Sequence, residues 1–72
     1  MARVIKAHIT GTVWKIEVKV GDRIEEGMTV AILESMKMEM PVEAEEEGVI
    51  EVIHVTESQP IKEGDIIVTL GD

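Results

Sequence analysis

Lys37 stands at the centre of the run Glu34-Ser35-Met36-Lys37-Met38-Glu39. The ε-amine of a lysine on a short, projecting segment offers one obvious chemistry, which is acylation. A lysine amine has a reference pKa of about 10.4, so at neutral pH it is almost entirely protonated. Nothing close in sequence supplies the basic, desolvated pocket that makes a lysine a nucleophile in its own right. Its charged neighbours are the carboxylates Glu34 and Glu39, which favour the protonated amine. Lys37 therefore reads as an acceptor that a partner enzyme deprotonates against an activated acyl group. No catalytic residue is expected in this chain.

The surrounding elements place that lysine with unusual clarity, because the chain repeats itself. Residues 11–35 and 48–72 align without a gap at an offset of 37. Gly11 matches Gly48, Ile16 matches Ile53, Val18 matches Val55, Ile24 matches Ile61 and Leu33 matches Leu70. Glu26-Gly27 matches Glu63-Gly64, and further back Ile5 and Ala7 fall on Val42 and Ala44. In this register Met1 corresponds to Met38 and Asp72 to Ser35, which leaves Met36 and Lys37 as the joint between the copies. If a two-fold axis relates the copies, the joint lies at one end of the molecule and both termini at the other.

The dominant period is two, the spacing of strands with one buried face. Trp14, Ile16, Val18 and Val20 alternate with Val13, Lys15, Glu17 and Lys19, and Met38, Met40, Val42 and Ala44 alternate with Glu39, Pro41, Glu43 and Glu45. Two almost continuously apolar runs, 29–33 and 66–70, read as buried strands. Turn signals fall at Gly11, Gly21-Asp22, Glu26-Gly27, Gly48 and Gly64-Asp65. Short strands at this spacing indicate an all-β sandwich or barrel. Residues 31–40 are rich in helix formers, but the match of 29–33 to the β-branched run 66–70, with Pro41 disfavouring helix at Met40, predicts strand–turn–strand. Pro41 has no N–H and belongs to an edge strand or faces solvent there. Pro60 is expected in a loop, Ser58-Gln59-Pro60, that matches Gly21-Asp22-Arg23.

Seventy-two residues are expected to form a single domain, 1–72, whose core is aliphatic, since Trp14 is the only aromatic and there is no Cys. No stretch approaches the roughly 20 apolar residues of a membrane helix, and the N-terminus does not read as a signal peptide. A cytoplasmic protein without a membrane partner is the default expectation, and Met1 with the small size favours a complete chain. The formal charge of −8 argues against nucleic acid as a partner. His8 and His54, assigned to strands, have no metal-ligand or triad partner at motif spacing. Glu43, Glu45, Glu46 and Glu47 lack the pattern of a calcium loop, with 45–47 read as a short solvated turn. No metal site is predicted. Trp14 matches Glu51, which suggests a partly buried position. Met38 begins a period-two face with Met40 and Val42, whereas Met36 has no such partner and reads as exposed apolar surface at the tip.

Around Lys37 the chain resembles the biotinyl/lipoyl attachment domain family. Glu34-Ser35-Met36-Lys37-Met38 is similar to the biotinyl signature Glu-Ala-Met-Lys-Met, with Ser35 in place of Ala. The likeness extends to Val20-Gly21-Asp22-Arg23-Ile24-Glu25-Glu26-Gly27 and its echo Ile61-Lys62-Glu63-Gly64-Asp65, and covers essentially all of the chain. The resemblance implies a flattened barrel of two four-stranded antiparallel sheets with the modified lysine at a hairpin tip. It also implies that a biotin protein ligase couples biotin to Lys37, with Glu34, Ser35, Met36 and Met38 as recognition residues. The biotinyl arm would then take carboxylate at a biotin carboxylase site and deliver it at a carboxyltransferase site.

Two rival readings stay open. Lipoyl domains share the resemblance but typically place Asp-Lys-Ala at the tip, so Met36 and Met38 favour biotin over lipoate, while Glu34 suits both. A domain alone can meet either ligase, which leaves lipoate ligase as a second possible partner. An unmodified interaction module on the same fold is the reading from a different class, and the Met-Lys-Met tip is what separates it.

Overall fold

The structure, a computed structural model, describes residues 3–71. The correspondences expected at Met1 and Asp72 lie outside the described residues. Eight strands follow one another: β1 (Arg3–Lys6), β2 (Gly11–Ile16), β3 (Arg23–Ile24), β4 (Thr29–Ser35), β5 (Met38–Glu43), β6 (Gly48–Ile53), β7 (Pro60–Ile61) and β8 (Ile66–Gly71). They form two four-stranded antiparallel sheets, ordered β1-β8-β6-β3 and β5-β4-β2-β7. The fold class read from the sequence is the one observed, and residues 29–40 form strand–turn–strand with no helix.

The offset of 37 maps one sheet onto the other, β2 onto β6, β3 onto β7, β4 onto β8 and β5 onto β1. The mapping reaches individual hydrogen bonds. Ala44 N–H donates to Met28 O and Ala7 N–H to Asp65 O; Gly21 N–H donates to Ile50 O and Ser58 N–H to Val13 O. The copies are nevertheless not two separate sheets. Each sheet takes two strands from each copy, with β1 and β3 flanking β8-β6 in one and β5 and β7 flanking β4-β2 in the other, so neither half closes without its partner.

The core between the sheets is aliphatic: Val13, Ile24, Val30 and Leu33 from one copy meet Ile50, Ile61, Ile67 and Leu70 from the other, all buried. Burying such a side chain is worth about 1.5–3 kcal/mol, and no polar side chain among the described residues shares the interior.

Three sequence expectations change here. The alternation places Trp14, Ile16, Val18 and Val20 on one buried face, yet Val20 is 63% exposed and Val13 is buried, while Trp14 is 45% exposed, as its match to Glu51 suggests. The cause is a bulge between Val13 and Lys15, repeated in the other copy between Ile50 and Val52. An extra residue reverses the alternation from that point, and β2 ends at Ile16. His8 and His54 lie outside the strands, in the bend after β1 and just beyond β6. Pro60 opens β7 in place of sitting in a loop.

Pro41 lies on β5, an edge strand, opposite Ile32. A residue without an N–H can occupy that pairing only where its nitrogen points away from β4, so it also blunts the free edge.

Candidate functional site: the Lys37 hairpin

Strands β4 and β5 pair from Thr29↔Glu43 to Ser35↔Met38, and Met36 and Lys37 alone make the turn between them. A two-residue hairpin loop selects the turn whose twist matches the strands, with positive φ at both central residues. Met36 has φ 53° and Lys37 φ 66°, so this is a type I′ turn built from two side-chain-bearing residues. Asn-Gly is the usual solution to that backbone. Here the strain stays, at about 1–2 kcal/mol per residue. Retained backbone strain concentrates where a position has work other than folding.

The burial pattern explains how the tip projects. Along β5 the inward-facing residues grade from Met38, 62% exposed, through half-buried Met40 to buried Val42. The sandwich thus covers the hairpin's base and leaves its last turn uncovered. Met36 is 92% exposed and Lys37 is exposed beside it. Met36 matches its reading as tip surface, and Met38 is only partly covered. Ser35 is half-buried and closes the turn opposite Met38. Glu34 and Glu39 face each other directly across the hairpin, both exposed. Like charges so opposed are mildly destabilising. Among the described residues the ion pairs are Arg3–Glu46 at 3.2 Å and Arg23–Glu47 at 3.8 Å, so neither glutamate is paired with the Lys37 amine.

The hairpin is aimed by a residue read only as a turn signal in the sequence. Gly11, the first residue of β2, packs so close to the hairpin that a Cβ there would enter the Glu34 carbonyl and stand 3.3 Å from the Ser35 Cβ. Its match to Gly48 was the available sign, since Gly48 makes the equivalent approach to the Gly71 carbonyl, 3.2 Å from a built Cβ. Close approach, and not a turn, is what both glycines provide.

The first and last described residues, Arg3 and Gly71, lie away from this tip. β5 runs from Met38 away from the turn and leads through residues 44–47 to Gly48, which packs against Arg3 and Gly71. Arg3 fastens that end, donating to Glu47 O at 2.8 Å and Gly71 O at 3.0 Å. Six residues of β5 at about 3.3 Å each set roughly 20 Å between the ends. An open groove between the edge strands β1 and β5 is lined by Lys6, His8, Glu26 and Glu43, and by none of residues 34–39. The hairpin is therefore a presented tip and not a pocket wall.

Comparisons with known proteins agree with this geometry. The family model described as "Biotin-requiring enzyme" matches residues 1–70. The chain is 41% identical over 68 residues to the biotin/lipoyl attachment protein of Bacillus subtilis, covering 94% of this chain and 93% of that one. It is 38% identical to the biotin carboxyl carrier protein of Streptococcus mutans, covering 97% of this chain and 54% of the carrier protein. Among solved structures, the urea carboxylase of Kluyveromyces lactis superposes with a TM-score of 0.91 at 32% identity, over 99% of this chain and 6% of that one. The chain belongs to the biotin/lipoyl attachment family, and its relatives include a biotin carboxyl carrier protein and domains of carboxylases, in which such a domain is a non-catalytic carrier.

Proposed function

We propose that Lys37 is the covalent attachment point for biotin and that the chain is a swinging-arm carrier of carboxylate. The carrying observation is the exposed, ion-pair-free lysine on a strained two-residue turn between Met36 and Met38. The residues fit the group: an amide to the Lys37 Nζ needs an accessible amine and no surrounding cavity. When bound, biotin supplies a site that accepts carboxylate at a biotin carboxylase and releases it at a carboxyltransferase.

The chain's own residues do the rest. The rigid sandwich holds Lys37 beyond any covering loop, so one tether reaches two sites in turn at high effective concentration. Glu34, Ser35, Met36 and Met38 form the surface that a biotin protein ligase reads around the amine. Flexible thioethers suit contact with several partners, and the formal charge of −8 favours weak, steered encounters with basic enzyme surfaces. Lipoate remains the alternative acyl group, with Met36→Asp combined with Met38→Ala expected to move acceptance toward it. The reaction belongs in the compartment of the carboxylase, taken here as the cytoplasm.

The test is intact mass after co-expression with a biotin ligase and, separately, a lipoate ligase, followed by peptide mapping. Biotin on Lys37, lost in Lys37→Ala, is the expected result. Absence of any adduct would remove the carrier reading and leave an interaction module. Moving the lysine to position 36 or 38 should nearly abolish modification, because the side chain then leaves the tip in a different direction.

A further inference from the structure

We propose that Met36 and Met38 form a paired oxidation site for hydroperoxides, and that their conversion to sulfoxides closes Lys37 to its ligase. The second half rests on the carrier reading above, and the first does not. Four methionines fall among the described residues, and the fold treats them differently. Met36 is 92% exposed and Met38 62%, on either side of the acceptor lysine. Met28 is 41% exposed, and its Sδ accepts the Glu25 N–H at 3.2 Å. Met40 is half-buried, opposite the fully buried Leu33. A thioether meets an oxidant through a sulfur lone pair. By exposure and by prior hydrogen bonding, Met36 and Met38 are therefore the first of the four described sulfurs to react.

The step balances without help from the protein. A sulfur lone pair attacks the outer oxygen of the hydroperoxide, the O–O bond breaks and an S–O bond forms. Sulfur is oxidised by two electrons to the sulfoxide. The peroxide is reduced to water or an alcohol, taking back the proton of the transferred oxygen. The product exchanges a flexible apolar group for a polar, chiral one, and a reductase can reverse the change. Neither sulfur belongs to the core, so the sandwich is untouched. What changes is the surface on each side of the amine. A partner pocket shaped for two thioethers must then bury two sulfoxide oxygens without partners, at a cost in affinity.

The experiment treats the full-length unmodified protein with dilute hydrogen peroxide, mapping a 16 Da gain at each methionine with time. Aliquots are passed to a biotin ligase with biotin and ATP. Met36 is expected to oxidise first and Met38 next, several-fold ahead of Met28 and Met40, with circular dichroism unchanged. The kcat/KM for biotin transfer should fall at least about tenfold as both sulfoxides form, as two desolvated polar groups imply, and recover on treatment with methionine sulfoxide reductase. The variant carrying Met36→Leu and Met38→Leu, measured against its own untreated rate, should be indifferent to peroxide. Oxidation of Met28 or Met40 ahead of the tip pair would overturn the site, and an undiminished transfer rate on doubly oxidised protein would overturn the closure. Untreated protein that takes no biotin would instead sink the carrier reading, with the oxidation order still judged from the peptide map.

Discussion

Relaxing the Lys37 turn should make the protein more stable while ending the proposed use of Lys37 as an acceptor. The perturbation is Met36→Asn with Lys37→Gly, which installs the residues that a type I′ backbone prefers. Positive φ costs an ordinary residue roughly 1–2 kcal/mol. Glycine recovers that at position 37, less about 0.5–1 kcal/mol for the freer unfolded chain. Asparagine at position 36 recovers part of it, being several-fold enriched at positive φ. The two changes together are worth about 1–2 kcal/mol. An unfolding entropy of about 2.1 cal/mol/K per residue over 72 residues is roughly 150 cal/mol/K. The expected rise in Tm is then about 6–13 °C. Ser58 provides a control outside the turn, because its φ of 73° occupies the place of Gly21 in the other copy. Ser58→Gly should gain about half as much, roughly 3–6 °C, without touching residues 34–39. The assay is thermal unfolding by circular dichroism, with urea midpoints as a check on the two-state slope. A double variant that melts at or below the parent would refute the argument that strain is held at Met36 and Lys37.

The remaining predictions concern what holds and aims the hairpin. Gly11→Ala should destabilise by about 1–3 kcal/mol, because the new Cβ meets the Glu34 backbone, and it should slow biotin transfer as well. Gly48→Ala meets the Arg3 Nη2 at 2.7 Å, the end of a movable side chain. It should cost less, by calorimetry, and leave transfer unaffected. Leu33→Ala empties a fully buried position opposite Met40 and Val13. It should cost about 2–5 kcal/mol, a large part of the stability of so small a domain, as a urea melt will show. Arg3→Ala should cost about 1 kcal/mol through its two carbonyl hydrogen bonds, mostly retained at high salt because the exposed pair with Glu46 contributes little.

Much of this molecule is written in its order of residues. The offset of 37 set which strands correspond, and period-two patterning with the apolar runs 29–33 and 66–70 made an all-β sandwich legible. Pro41 announced an edge. The joint at Met36 and Lys37 marked the tip, because two residues without counterparts between matched strands leave room for nothing but a tight turn. Residue types at 34–39 carried the expected chemistry. Alternation alone could not reveal the bulges at Val13–Lys15 and Ile50–Val52, which put Val13 inside and Trp14 outside. A bulge depends on how two strands fit, and either strand read singly is silent about it.

Tertiary structure also decided how the two copies share strands. Hydrophobic pattern tells a strand which face to bury but not which neighbour to pair with. The placing of β3 beside β6 and of β7 beside β2 is settled by backbone hydrogen bonds that cross from one copy to the other, such as Ile50 N–H to Asp22 O and Val13 N–H to Gln59 O. Those bonds make the halves mutually dependent. Gly11 likewise acquires its role only when β2 is laid beside β4, where the absence of a side chain lets the hairpin seat against the sheet. The sequence alone singled out Lys37 as the expected acceptor; packing between distant segments determined that this lysine is held exposed on a strained turn.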